Sequence, residues 1–142
     1  MLRPPRPRSR PLLTRELLLR IAGAGSVTAV GALALMIWAG PGLDHARWLA
    51  FNTLVFGQLV RAYENRSLEH PVTSLSPNRF LAGACVVVVL VQLAIPFVPP
   101  LADAFRAASL SAVEVGLVVL VAVAPAIVAE VVRRVRPGIW VA

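Results

Sequence analysis

Four long apolar blocks constrain this chain more than any other feature. They are Leu17–Ala39, Trp48–Tyr63, Phe80–Val98 and Val113–Val132, separated by short segments that hold nearly all the prolines and charges. A water-soluble domain spreads its apolar residues in periodic stripes, because one face of each element must meet solvent. Here the first, third and fourth blocks meet or approach the ~20 residues that carry a helix across a bilayer. The second is shorter, and Arg47 and Arg61 at its ends could place their charges at the interface. Composition agrees: 58% of the 142 residues are hydrophobic, and the mean hydropathy is +0.76. Membrane strands alternate polar and apolar residues in segments of ~10. The run CVVVVLVQLAIPFV does not alternate. The expected fold is an all-α integral membrane protein, four transmembrane helices in a bundle.

Charge sets the expected orientation. The net charge is +7, and every basic residue is arginine. Arg3, Arg6, Arg8, Arg10, Arg15 and Arg20 precede or open the first block, Arg61, Arg66 and Arg79 border the loop between the second and third, and Arg133, Arg134 and Arg136 follow the fourth. Only Arg47 and Arg106 fall on the other side. The positive-inside rule then puts both termini and the middle loop in the cytoplasm, and the protein in the plasma membrane as a multi-pass chain. A pI near 11.6 does not point to nucleic acid, because the arginines form no single basic face with interleaved aromatics.

Outside the blocks, residues 1–13 form a basic tail that Pro4, Pro5, Pro7 and Pro11 bar from helix. Thr14 is placed to cap the first helix. A membrane module is expected over 14–136, with spans at 17–39, 48–63, 80–98 and 113–132, and a short tail over 137–142. Gly40–Arg47 reads as a turn. Pro96–Leu110 reads as a loop whose middle can form an interfacial helix, with Leu101, Phe105 and Leu110 toward the membrane.

Chemistry is sparse. No phosphate-cradling glycine loop is present. His45 and His70 lie in separate loops, and no metal-ligand spacing or Ser-His-Asp set appears. Cys85 is the only cysteine, so it forms no disulfide within the chain. No cofactor is expected. What remains is polar groups inside the apolar blocks, which are costly in hydrocarbon and mark helix contacts or ion paths. Gln58, near the middle of the second block, offers an amide oxygen of the kind hard cations take. Asn52 and Thr53 lie one to two turns away. Two readings stand for all three: ion ligands, or hydrogen bonds between helices. Gln92 is placed to bond across to a neighbour, and Glu114 and Glu130 to sit at interfaces or pair with arginine. In the first block Gly23, Gly25 and Gly31, among other small residues, allow close helix packing.

The string FNTLVFGQLVRAYENRS, followed by a loop and NRFLAGACVVVV, resembles the C-terminal transmembrane region of P-type cation-transporting ATPases, the calcium-pump-like group. RPPRPRSRPLLTRELLLRI looks like the link into the seventh helix of those pumps, VPPLADAF like the loop between the ninth and tenth, and AEVVRRVRP like the end of the tenth. The likeness covers roughly residues 3–136. It implies that the four spans correspond to helices seven to ten, and that Gln58 falls where the eighth helix supplies a side-chain oxygen to an ion site. Calcium pumps of animals carry an acidic residue there. Arg61 departs from the family's small polar or amide residue. The phosphorylation loop, the nucleotide-binding and actuator domains, and the fourth to sixth helices are not in this sequence. The expectation is therefore a C-terminal module of a truncated or split pump, not catalytic alone. Its partners are the lipid bilayer, the remaining pump domains as a separate chain, and a cation in the complete assembly. The alternative is a small accessory membrane protein that binds through the glycine-rich face of the first span and has no transport role.

Overall fold

The computed structural model describes residues 15–66 and 76–135. All regular structure among them is helical: α1 (Arg15–Trp38), α2 (Leu43–Glu64), α3 (Arg79–Ala94), α4 (Pro99–Phe105) and α5 (Ala112–Val135), with a 3₁₀ turn at Ile95–Phe97 after α3. The expected tails at 1–13 and 137–142, and the Thr14 cap, lie outside the described residues.

Local chemistry explains where the helices start and stop. Gly40, at φ +81°, turns the chain after α1 in a conformation that costs glycine nothing. Asn78 caps α3, its side-chain oxygen accepting from the Leu81 N–H at 3.0 Å. Pro96 interrupts α3, and Pro99 opens α4 at a position where its missing N–H costs no hydrogen bond. Ser111 and Glu114 form a capping box for α5: the Ser111 Oγ accepts from the Glu114 N–H at 3.3 Å, and Glu114 Oε2 accepts from the Ser111 N–H at 2.7 Å.

Two expectations are corrected. Gly40–Arg47 is not all turn: helix resumes at Leu43, with Asp44 in the first turn where the helix dipole favours a negative charge. In the second linker, Leu101 and Phe105 are exposed on α4 as expected, but Leu110 lies beyond that helix and packs against the core.

Helices α1, α2 and α5 pack on one another, while α3 packs mainly along the flank of α2. The inward stripe of α1 holds Thr28, Ala32 and Leu35, that of α2 holds Leu49, Asn52, Thr53 and Gly57, and that of α5 holds Val118, Ala122 and Pro125. Leu35, Leu49 and Val118 are the buried apolar centre. Most large apolar side chains instead point outward, among them Val86, Val87, Leu90 and Val91 on α3 and Leu120, Ile127 and Val128 on α5. Such a surface suits hydrocarbon rather than water. Three helices are long and apolar enough to cross a bilayer, over Ile21–Trp38, Arg79–Phe97 and Ala112–Val132. Helix α2 has 22 residues, roughly 33 Å at 1.5 Å per residue, but its polar side chains keep composition alone from marking it as a span.

Candidate functional site

The polar residues of α2 divide between two faces. Asn52 and Thr53 are 2% and 0% exposed, on the side covered by the bundle. Both use their donors within the helix: Asn52 Nδ2 donates to the Trp48 carbonyl at 2.8 Å, and Thr53 Oγ1 donates to the Leu49 carbonyl at 2.9 Å. Back-bonding of this kind satisfies a polar group where no water reaches it. Thr28 of α1, which lies against Gly57 of α2, does the same to the Ala24 carbonyl at 3.0 Å.

Gln58 lies on the opposite side. At 100° per residue it is rotated roughly 120–140° from Asn52 and Thr53, and it is exposed. It shares its face with Arg47, Phe51, Leu54, Ala62 and Asn65, all exposed and spaced three or four residues apart. The three candidate ligands are therefore not brought together. Within this chain Gln58 presents its amide outward, and the other two are buried with their donors bonded to the backbone of their own helix.

The glycines divide in the same way. A β-carbon on Gly31 would fall 2.2 Å from Val121 Cγ1, so this glycine lets α5 lie directly on α1. Gly25 faces the Arg61 guanidinium, at 3.9 Å from such a carbon, and Gly23 meets nothing within 4 Å. Sequence reasoning missed Gly57, where a β-carbon would come 2.9 Å from Thr28 Cγ2. The readable signal was its spacing from Thr53, four residues along one helix face.

Arg61 does not reach away from the bundle. Its guanidinium lies in the seam between α1 and α2, beside both Gly25 and Gly57, and its buried Nε has no hydrogen-bond partner among the described residues. The direction follows from helix geometry, which leans long side chains back over the preceding turn.

At the end of the bundle that carries the α1–α2 turn, two pairs join the helices. Glu114 accepts from His45 at 2.5 Å, linking the starts of α5 and α2. Glu114, expected at an interface or paired with arginine, thus has a histidine as its partner. Arg106, left-handed at φ 48°, donates to Asp44 at 3.2 Å on the surface. Trp48, Phe51 and Phe105 form an aromatic group beside them, with ring centroids 5.6–6.5 Å apart. Below lies a cavity of about 280 Å³ whose wall includes Trp48, Asn52, Gln92, Pro96, Ser109 and Leu110. Gln92 is 6% exposed, and its Nε2 is buried without an acceptor among the described residues. The cross-helix bond expected of Gln92 is absent from that atom. Among the described residues no three His, Cys, Asp or Glu side chains gather as a metal site.

Comparison with known proteins bears on this arrangement. The family model described as cation transporting ATPase, C-terminus, matches residues 1–135. Over 93 residues, 64% of the chain, the sequence is 33% identical to Calcium-transporting ATPase 1 of Bacillus cereus. That match takes in 10% of the relative's length, so the chain spans about a tenth of the curated relative it resembles.

Proposed function

Since the chain belongs to the family of cation-transporting ATPase C-terminal regions, we propose that it is the C-terminal membrane module of a P-type cation pump. In this reading it crosses the plasma membrane four times, α2 included, with both termini in the cytoplasm. It braces the helices that move during transport, and it works with the remaining pump domains on a separate chain. Phosphorylation and ATP hydrolysis belong to those domains.

One observation carries the reading. The most polar helix of the four turns one face to its own bundle and leaves the other bare. The bare face, Leu54–Gln58–Ala62–Asn65, holds an amide six residues before the end of α2 at Glu64. An amide in hydrocarbon costs several kcal/mol unless something accepts or donates to it. The natural cover is further transmembrane helices, and the natural use of an amide oxygen facing them within the membrane is one ligand of a shared cation site. Asn52 and Thr53 then serve the stability of α2 and do not bind the ion. An accessory protein would need the glycine face of α1 for its partner. In this structure Gly31 is already taken up by Val121 and Gly25 faces Arg61, which leaves only Gly23 of the three open and favours the pump reading.

The test is co-purification and transport. The chain, co-expressed with the catalytic part of a P-type pump from the same cell, should purify with it and restore cation-dependent ATP hydrolysis. In that complex Gln58→Ala should raise the half-saturating cation concentration about tenfold, the loss of roughly 1.4 kcal/mol of binding. A complex unaffected by Gln58→Ala would remove the ligand role, and failure of any pump core to co-purify would remove the module role.

A further inference from the structure

We propose that the bare face of α2 is covered by a transmembrane helix carrying an Asp or Glu carboxylate at the depth of Arg61, and that this carboxylate pairs with the Arg61 guanidinium. This rests on the reading of the chain as a membrane module and adds the chemistry of the helix that covers it.

Arg61 carries a charge that its own chain leaves uncompensated. Among the described residues no carboxylate pairs with it, and its buried Nε has no hydrogen-bond partner. Glu64, the nearest acid in sequence, is engaged elsewhere. A guanidinium does not lose its proton in a protein, so only an anion can answer this charge.

Depth selects the anion. Nη1 lies 3.9 Å from the place of a β-carbon on Gly25, and Nη2 lies 3.7 Å from that of one on Gly57. Gly25 stands four residues inside the apolar stretch of α1 that opens at Ile21, ~6 Å at 1.5 Å per residue. Arg61 therefore reaches back from the end of α2 into the apolar layer, beneath the level of headgroup phosphates. A charge held there is costly, and the group that answers it at that depth is an acidic side chain on a neighbouring helix.

Position makes the charge reachable. At 100° per residue Arg61 is rotated roughly 60° from Gln58 and roughly 40° from Gly57, so it stands where the α1 contact gives way to the bare face. Leu54, Gln58, Ala62 and Asn65 beside it are exposed. On α1 the exposed Ala22 and Ala29, either side of Gly25, are small and hold no helix away from the guanidinium. Lipid tails can cover Leu54 and Ala62, but they offer no acceptor to Gln58, Arg61 or Asn65.

The experiment uses the full chain in phosphatidylcholine vesicles with leucine-rich transmembrane peptides of ~20 residues, each bearing a dansyl group. One peptide has a Glu about four residues inside one end, matching the depth of Arg61; the others have Leu or Lys there. Energy transfer to dansyl from Trp38, Trp48 and Trp140 reads association. The Glu peptide should half-saturate the chain at a peptide-to-lipid ratio about tenfold below that of the Leu peptide, and the Lys peptide should do no better than Leu. Arg61→Gln should erase the advantage of Glu. Equal association of the Glu and Leu peptides overturns the carboxylate. An advantage that survives Arg61→Gln overturns Arg61 as its partner. An advantage that vanishes when phosphatidylglycerol is added gives the charge to a lipid phosphate, and one that vanishes as the chain is made denser in the vesicles gives it to a second copy; either overturns the proposal. The peptides are compared on the unaltered chain, so the result stands even if Arg61→Gln does not fold. No pump core is present in the vesicles. Failure of a core to co-purify would thus remove the module role and leave a preference for Glu intact, whereas equal peptide binding would remove the acidic partner alone.

Discussion

Thr28 of α1 rests on Gly57 of α2 so closely that a single added methyl on the glycine would come 2.9 Å from the threonine Cγ2. Thr28 is 1% exposed and its hydroxyl is held by the Ala24 carbonyl, so it has little freedom to withdraw. The close approach of α1 and α2 is thus set by a hydrogen atom on one side and a fixed β-branched side chain on the other.

Gly57→Ala should therefore destabilise the chain by about 1–3 kcal/mol, the usual cost of overpacking a tight core. Thr28→Ser deletes the offending methyl and keeps the hydroxyl bond. The double variant Thr28→Ser with Gly57→Ala should recover most of the loss. Thermal unfolding in detergent, read by circular dichroism, measures all three, and additive effects in the double variant would show that the two positions are not in contact.

Gly31 obeys the same rule with a harsher distance. Its β-carbon would overlap Val121 Cγ1 at 2.2 Å, and Val121 belongs to the shell around the Leu35–Leu49–Val118 core. Gly31→Ala should cost at least as much as Gly57→Ala, about 2–3 kcal/mol, and Val121→Ala should relieve it. Gly23→Ala, with nothing within 4 Å, should be neutral or slightly stabilising, because alanine is the better helix former by about 1 kcal/mol. The contrast between two glycines of one helix is read in the same unfolding assay.

Much of this architecture is legible in the sequence because hydrocarbon demands long uninterrupted apolar runs, and those are visible without knowing any contact. The start of α2 is not. Asp44, His45 and Arg47 lower the hydropathy, yet their backbone is helical because Asp44 suits a helix N-terminus. Which glycine touches which neighbour is hidden as well, since Gly23 and Gly31 sit in similar small-residue company and differ only in the face they occupy. The outward face of Gln58 could have been read. Arg47, Phe51, Leu54, Gln58, Ala62 and Asn65 recur at helical spacing, and the small and polar Asn52, Thr53 and Gly57 occupy the other side. The His45–Glu114 link could not, because 69 residues separate the two and only a fold that runs α5 parallel to α2, start beside start, brings them together.

That link and the capping box meet on one carboxylate. Glu114 accepts from His45 with one oxygen and from the Ser111 N–H and hydroxyl with the other. Glu114→Ala removes all of these at once and should cost about 1–2 kcal/mol, a lost cap plus a lost tie between helices. Ser111→Ala, which keeps the His45 contact, should cost about half as much. Hydrogen exchange should localise the effect of both, with faster exchange in the first turn of α5. Only Glu114→Ala should also loosen the first turn of α2. Equal exchange in α2 for both variants would mean that His45 gains nothing from the carboxylate.

The last prediction separates stability from function within α2. Asn52 is buried and bonded to the Trp48 carbonyl, whereas Gln58 is exposed on the bare face. Asn52→Ala removes a satisfied buried group and leaves a void beside Trp48, so it should lower the stability of the isolated chain by about 1–3 kcal/mol. Gln58→Ala changes nothing the chain uses for its own packing and should stay within about 0.5 kcal/mol. In the complete assembly the order should reverse for cation affinity: Gln58→Ala weakens it about tenfold, while Asn52→Ala, once folded, leaves it unchanged. Unfolding of the isolated chain and cation titration of ATP hydrolysis in the complex give the two halves independently. An Asn52→Ala chain as stable as the parent would break the assignment of Asn52 to packing. A cation affinity that falls equally in both variants would break the division of α2 into a structural face and a face turned to the pump.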